Sequence, residues 1–250
     1  MIQTHMFWHG GPLSQLETLC MASFVAQGYN LTLWTYSAIP NVPTGVKLAD
    51  ADQILPKSAL FLNRHGSYAS FSDWFRYAVL SRIGGLYADT DVVALLPARD
   101  LPRKKFLVTQ WEWSKRRLRP RCWNIKINNN VIYNPDPANG DVIDLASVYA
   151  EHFPKTAIDW SEIGPSLLNA IIGIHPAHGF TIMPTDFANP LGYWKCPAAL
   201  LKPGRIPAGV GFLHCYNEMW RRADIDKNAP FPHGSIMARL ATRFASNTAI

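Results

Sequence analysis

At 250 residues, the chain is long enough to bury a substantial core and short enough for one α/β domain spanning 1–250 with decorated loops. Hydrophobic residues make up 48% and charged residues 17%, which excludes a disordered or fibrous chain. A net charge of +6 suits an anionic partner without choosing among a small anion, a lipid surface and nucleic acid.

Taken in order, Thr4-His5-Met6-Phe7-Trp8 reads as a short strand that stops at Gly10-Gly11-Pro12. Leu13, Leu16, Cys20 and Phe24 then recur at helical spacing up to Gly28. Asn30 to Tyr36, rich in β-branched and aromatic residues, predicts a second strand and so a βαβ unit. A polar loop through Pro43 and Pro56 leads to a helix over Ser70–Arg82, closed by Gly84-Gly85. Leu86-Tyr87-Ala88 runs into Asp89-Thr90-Asp91, and Val92 to Leu96 continues in an extended, buried style. An aromatic and basic stretch follows, with Trp111, Trp113 and the run Lys115-Arg-Arg-Leu-Arg-Pro-Arg121, leading to Asn128-Asn129-Asn130. Val142–Phe153 and Ser166–Ile172 read as helices, and Gly173–Gly211 as loops and short strands.

Thr18–Val46 and Ile163–Thr185 lack charged residues, but prolines, glycines and polar residues break both, so neither reads as a membrane span. The start Met-Ile-Gln-Thr-His lacks the basic and apolar regions of a secretory signal, and a cytoplasmic place is expected, if need be on the inner face of a membrane. Cys20, Cys122, Cys196 and Cys215 lack zinc-site spacing and read as reduced thiols.

Asp89 and Asp91, one residue apart and flanked by apolar residues, suit a hard divalent cation such as Mn²⁺ or Mg²⁺. In extended backbone they share a side, and in a turn both approach one ion. Carboxylates held near a buried sheet are costly unless a cation or hydrogen-bond donors meet them.

The block Ser72-Asp73-Trp-Phe-Arg76-Tyr77 through Gly84-Gly85-Leu-Tyr87-Ala-Asp89-Thr-Asp91 resembles the signature of glycosyltransferases with the DXD sugar-binding region. Those include Golgi mannosyl- and galactosyltransferases, bacterial capsule and lipopolysaccharide enzymes and, distantly, the glucosylating toxins. Phe7-Trp8-His9-Gly10-Gly11, Asn128-Asn129-Asn130-Val, Gly164-Pro165 and His214-Cys-Tyr-Asn217-Glu-Met-Trp220 resemble further family segments in the same order. The resemblance implies a GT-A type fold, with a Rossmann-like, mainly parallel sheet flanked by helices and the ligand at the carboxyl ends of its strands. It implies a donor half over about 1–97, with acceptor and closing segments over about 98–250.

Carried over by resemblance, Asp91 binds the metal, and Asp89 contacts metal, ribose or sugar. Trp8 stacks on the base and Tyr87 lines the nucleotide pocket. Asp73 and Arg76, on one helix face, reach the donor sugar and its phosphate. Competing readings are a capping box for Ser70-x-x-Asp73 and a surface ion pair for Arg76. Either Asn128 or Asn129 matches the family's asparagine. His214 completes the metal shell, contacts the diphosphate or is simply a buried histidine; Asn217 and Trp220 are further donor contacts.

The resemblance further implies a UDP- or GDP-linked donor of a hexose-type sugar, a glycan or glycolipid acceptor and retention of configuration, with no general base assigned. The alternatives are a non-catalytic nucleotide-sugar or carbohydrate-binding relative and a transferase acting on protein. Lys115–Arg121 reads as an acceptor loop, a patch for an anionic membrane or a solvated loop; no nucleic-acid module accompanies it.

Overall fold

A computed structural model describes residues 1–113 and 123–245. Its strands are β1 (Gln3–Phe7), β2 (Asn30–Thr35), β3 (Lys47–Asp50), β4 (Gly85–Ala88), β5 (Val92–Ala94), β6 (Phe106–Trp113), β7 (Trp123–Asn134), β8 (Thr181–Ile182) and β9 (Phe212–His214). Its α-helices are α1 (Gln15–Ala26), α2 (Ala69–Arg82), α3 (Val142–His152), α4 (Leu167–Ile174), α5 (Thr185–Ala188), α6 (Asn217–Arg222) and α7 (Ile236–Ala245).

A 7-stranded sheet has the order β3-β2-β1-β4-β7-β6-β8. All its strands run the same way except β7, which is antiparallel to both β4 and β6. The mainly parallel α/β sheet is the one expected, and β1 and β2 are parallel across α1. Two features differ from expectation. The loop between Tyr36 and Ser70 contains β3, a largely exposed edge strand whose Lys47-Leu-Ala-Asp carries little of the β-branched signal. Val92–Leu96 does not extend the main sheet: β5 ends at Ala94 and pairs with β9 in a separate 2-stranded sheet.

Successive residues of the central strands serve opposite faces, as the pleat requires. Phe7, Trp34, Tyr87 and Ile132 join Phe71, Phe75, Ile143 and Leu168 in one core; Met6, Leu33, Leu86 and Val131 join Phe24 and Phe212 in another. Both faces of these strands are thus buried, as in a parallel sheet covered on both sides. A third core, with Leu16, Val93, Leu213, Trp220 and Met237, holds α1 against the small sheet and the C-terminal helices.

Helix α1 opens with a capping box in which Ser14 and Glu17 satisfy each other's backbone N–H groups. Helix α2 has no side-chain cap: its N-cap is Tyr68, so Asp73 lies a turn inside and does no capping. Gly84 and Gly85 both have positive φ (76° and 96°). A Cβ on Gly85 would lie 2.6 Å from the Gln3 carbonyl oxygen, so only glycine lets β4 enter beside β1.

His5 is fully buried between these strands. Its Nδ1 accepts from the Trp34 indole N–H at 3.0 Å, so its Nε2 donates to the Gly84 carbonyl at 3.0 Å. Burial lowers its pKa from 6.5 to about 4. The unfolded chain therefore binds a proton that the native state refuses between those values, and stability falls as pH drops through that window. Urea unfolding followed from pH 7 to 4 should show His5→Gln, which keeps both hydrogen bonds, sparing up to about 3 kcal/mol of the wild-type loss, at about 1.4 kcal/mol per pH unit.

Candidate active site

The sheet delivers Phe7 and Trp8 from the end of β1 and Asp89 from the end of β4 to one open cleft of about 820 Å³. This is where the carboxyl ends of parallel strands place ligands. Asp89 and Asp91 lie in a turn closed by a hydrogen bond from the Val92 N–H to the Asp89 carbonyl at 3.1 Å. The turn brings the two carboxylates together. The small sheet adds a third group, because Val92 pairs with His214 across β5 and β9. One atom each from Asp89, Asp91 and His214 lie within 4.8 Å of one another.

The two carboxylates are held differently. The Oδ2 of Asp91 accepts from the Asn217 backbone N–H at 2.6 Å and faces the His214 Nε2 at 3.4 Å. Burial raises the Asp91 carboxyl, but His214 when it carries a proton on Nε2, together with that N–H, outweighs it and holds it below the usual range. Asp89 meets Arg76 at 2.8 Å. Burial pushes its carboxyl up, Arg76 pulls it down, and Asp91 adds to the push. With 24% of the side chain open to the cleft, water screens part of that push.

Beneath the turn, Arg76 is 4% exposed. Its Nη2 meets Asp73 at 3.1 Å and Asp89 at 2.8 Å. Its Nη1 donates to the Asn129 carbonyl at 2.5 Å and the Asp89 Oδ2 at 3.5 Å, and its Nε to the Ser72 carbonyl at 3.4 Å. A guanidinium has five N–H donors, and protein acceptors take them all. Arg76 is therefore no surface ion pair: it holds the two aspartates from the floor of the cleft, which it also lines. Asp73 also accepts from the Asn129 amide at 2.9 Å, and burial pushes its carboxyl up against the pull of Arg76. Gly164 packs against this carboxylate so closely that a Cβ there would collide with it.

Residues 18–107 match the family model described as glycosyltransferase sugar-binding region containing DXD motif. This segment is similar to a glycosyltransferase sugar-binding region. Among solved structures, the PaToxG glycosyltransferase is similar at 17% identity over 69% of each chain, with a TM-score of 0.48. The glycosyltransferase GlyE of Streptococcus pneumoniae TIGR4 is similar at 12% identity and a TM-score of 0.43, covering 100% of this chain and 61% of that one. Its apo form gives 13% and 0.43 at the same coverage. The chain thus spans about three-fifths of the GlyE length. No curated protein sequence matches it.

The matched segment contributes Asp73, Arg76, Asp89 and Asp91, and residues before and after it contribute the rest of the cleft. Asn128 and Asn129 both reach it but do different things. Alternation along β7 turns Asn129 to Asp73, while Asn128 bonds the Gln110 side chain at 2.5 Å. Trp8 is half-buried at the cleft edge, with the Lys227 ammonium 5.8 Å over its ring. Lys227 in turn meets the fully buried Glu17 at 2.6 Å. Asn217 acts through its backbone N–H.

Two expectations are corrected. Tyr87 is 1% exposed and does not line the cleft; its ring lies under Arg76, 5.1 Å from the guanidinium carbon. Trp220, also 1% exposed, packs in the third core and donates to the Cys215 carbonyl at 2.9 Å. An apolar ring in a short amphipathic helix is drawn inward, so Trp220 supports the His214 segment from behind.

Sequence reasoning missed Gln110, Tyr68, Trp160, Tyr193, Tyr216 and Lys227 on the cleft wall, and the buried Asn189 behind it. Gln110 lies in β6 and the others between regular strands and α-helices, and the left-handed Tyr216 backbone (φ 53°) is special geometry that its residue type does not announce. The run Lys115–Arg121 lies outside the described residues, as does Cys122. Among the described residues no helix is long and apolar enough to cross a membrane.

Replacing Arg76 with Met should leave two carboxylates without their cation in a largely buried place and cost about 3–5 kcal/mol. Arg76→Lys should recover only part, because one ammonium cannot span Asp73, Asp89 and the Asn129 carbonyl together. Urea unfolding of the three proteins checks both statements.

Proposed function

We propose that the protein is a metal-dependent glycosyltransferase that moves a hexose-type sugar from a UDP- or GDP-linked donor to a glycan or glycolipid acceptor. The observation that carries this reading is the convergence of Asp89, Asp91 and His214 on one point of the cleft, within and beside the matched sugar-binding region. Two carboxylates and an imidazole suit Mn²⁺ or Mg²⁺ better than a thiol-loving metal, and two close carboxylates are relieved by a dication. When bound, such an ion would neutralise the diphosphate as it leaves the sugar.

The chain's own residues do the rest of the work in this reading. Trp8, with Lys227 above it, stacks on the base. Asp73, aimed by Arg76 and Asn129, receives hydroxyls of the donor sugar. Asn217 holds Asp91 through its N–H, and Tyr87 supports Arg76 from below. Retention of configuration is proposed on the family resemblance alone, with no carboxylate nucleophile assigned.

A thermal-shift series with UDP- and GDP-sugars, with and without Mn²⁺, tests the donor site, since a ligand bound only by the native state raises its melting point. One nucleotide class should raise it only with metal present, and Asp91→Asn should abolish the shift. A metal-dependent shift without release of nucleoside diphosphate over hours would instead favour a non-catalytic binding relative.

Lys115–Arg121 belongs to this proposal as the part that meets an anionic acceptor or membrane surface. Changing Lys115, Arg116 and Arg117 to Ser should weaken sedimentation with anionic vesicles, each charge being worth about 1 kcal/mol near such a surface. Unchanged vesicle and acceptor binding would make the run plain solvated loop.

A further inference from the structure

Behind His214 lies a polar cluster that the donor site does not itself use. Asn189 follows α5, is 1% exposed, and its side chain forms hydrogen bonds to four residues. Its Nδ2 donates to the Thr109 backbone carbonyl at 2.9 Å and to the Asn130 Oδ1 at 3.3 Å. Its Oδ1 accepts from the Asn130 Nδ2 at 3.1 Å and the Tyr216 hydroxyl at 3.3 Å, and lies 3.1 Å from the His214 Nδ1.

The Thr109 carbonyl can only accept, so the Asn189 amide has one workable orientation, with its NH₂ toward Thr109 and its oxygen toward His214. An amide oxygen can likewise only accept, so the His214 Nδ1 carries the proton. In the neutral ring, Nε2 is then the nitrogen with the lone pair, and it points at Asp91. The Tyr216 ring packs against the imidazole of His214, 3.8 Å from it centre to centre and tilted by 35°.

We infer that Asn189 is a positioning residue that fixes the tautomer of His214 so that its Nε2 lone pair faces the Asp89–Asp91 pair as a ligand for a divalent cation. The role in cation binding rests on the metal reading above. The tautomer does not. Hydrogen bonds to the second ring nitrogen are how ligand histidines are oriented, and losing one costs about 10–100-fold in metal affinity. The cluster also explains the third asparagine of the run. Asn130 pairs its amide with that of Asn189, and its carbonyl accepts from the Asp89 N–H at 2.9 Å, so β7 ties the aspartate turn to the histidine.

The test is a long-range ¹H–¹⁵N correlation spectrum of the metal-free protein, at a pH about two units above the ordinary histidine value of ~6.5, with a Mn²⁺ titration alongside. His214, assigned by its absence in His214→Gln, should show the Nδ1–H tautomer. Asn189→Leu, which removes the acceptor, should shift it toward Nε2–H and weaken Mn²⁺ binding about 10–100-fold. An Nε2–H tautomer in the wild type overturns the inference with no variant needed, as does an Asn189→Leu protein with unchanged tautomer and Mn²⁺ affinity. An Nδ1–H tautomer in a wild type that binds no Mn²⁺ would uphold the positioning by Asn189 and remove the metal reading instead.

Discussion

A guanidinium buried at 4% exposure is tolerable only where acceptors surround it, and the core of this protein is organised around that requirement at Arg76. Asp73 comes from the preceding turn of α2, Asp89 from the end of β4, and the Asn129 carbonyl from β7. To bring them to one cation, α2 must lie against the sheet with little of its surface exposed, which is why its buried residues run almost unbroken from Ser70 to Leu80. The glycines at 84 and 85 let the chain turn from that helix into β4, and Gly164 leaves room for the Asp73 carboxylate.

The candidate cation site lies at the meeting of two sheets. The main sheet supplies Asp89, and the small one pairs Val92 with His214. Because Asp91 is bonded to Asn217 and faces His214, a movement of the C-terminal segment would disturb one carboxylate and leave the other with Arg76. The amide pair between Asn130 and Asn189 joins the two halves by hydrogen bonds that are buried and so strongly directional. Sites with rigid supporting contacts of this kind hold their ligand atoms in place before the ligand arrives.

Much of this was legible in the chain alone. Short stretches rich in apolar and β-branched residues, bounded by glycine and proline, made β1 and β2 readable, and the Gly-Gly break ended α2 where the sequence said it would. The acidic pair, with Asp73 and Arg76 upstream, marked the site because charged residues inside an apolar block are costly and need a reason. The same signal failed for tryptophan and tyrosine. Trp8 lies at the cleft while Trp220 and Tyr87 lie beneath it, and aromatic rings serve a core and a ligand equally well.

The sequence by itself determined the α/β class, the order of the first elements and the identity of the acidic residues, since periodicity and residue chemistry are local properties. Only the tertiary structure decided that β5 leaves the main sheet, that Arg76 holds Asp73 and Asp89 together, and which of three consecutive asparagines faces Asp73. Those outcomes depend on pairings between positions far apart, such as Val92 with His214 and Asn130 with Asn189. A hydrogen bond across such a separation leaves no spacing in the chain from which to read it.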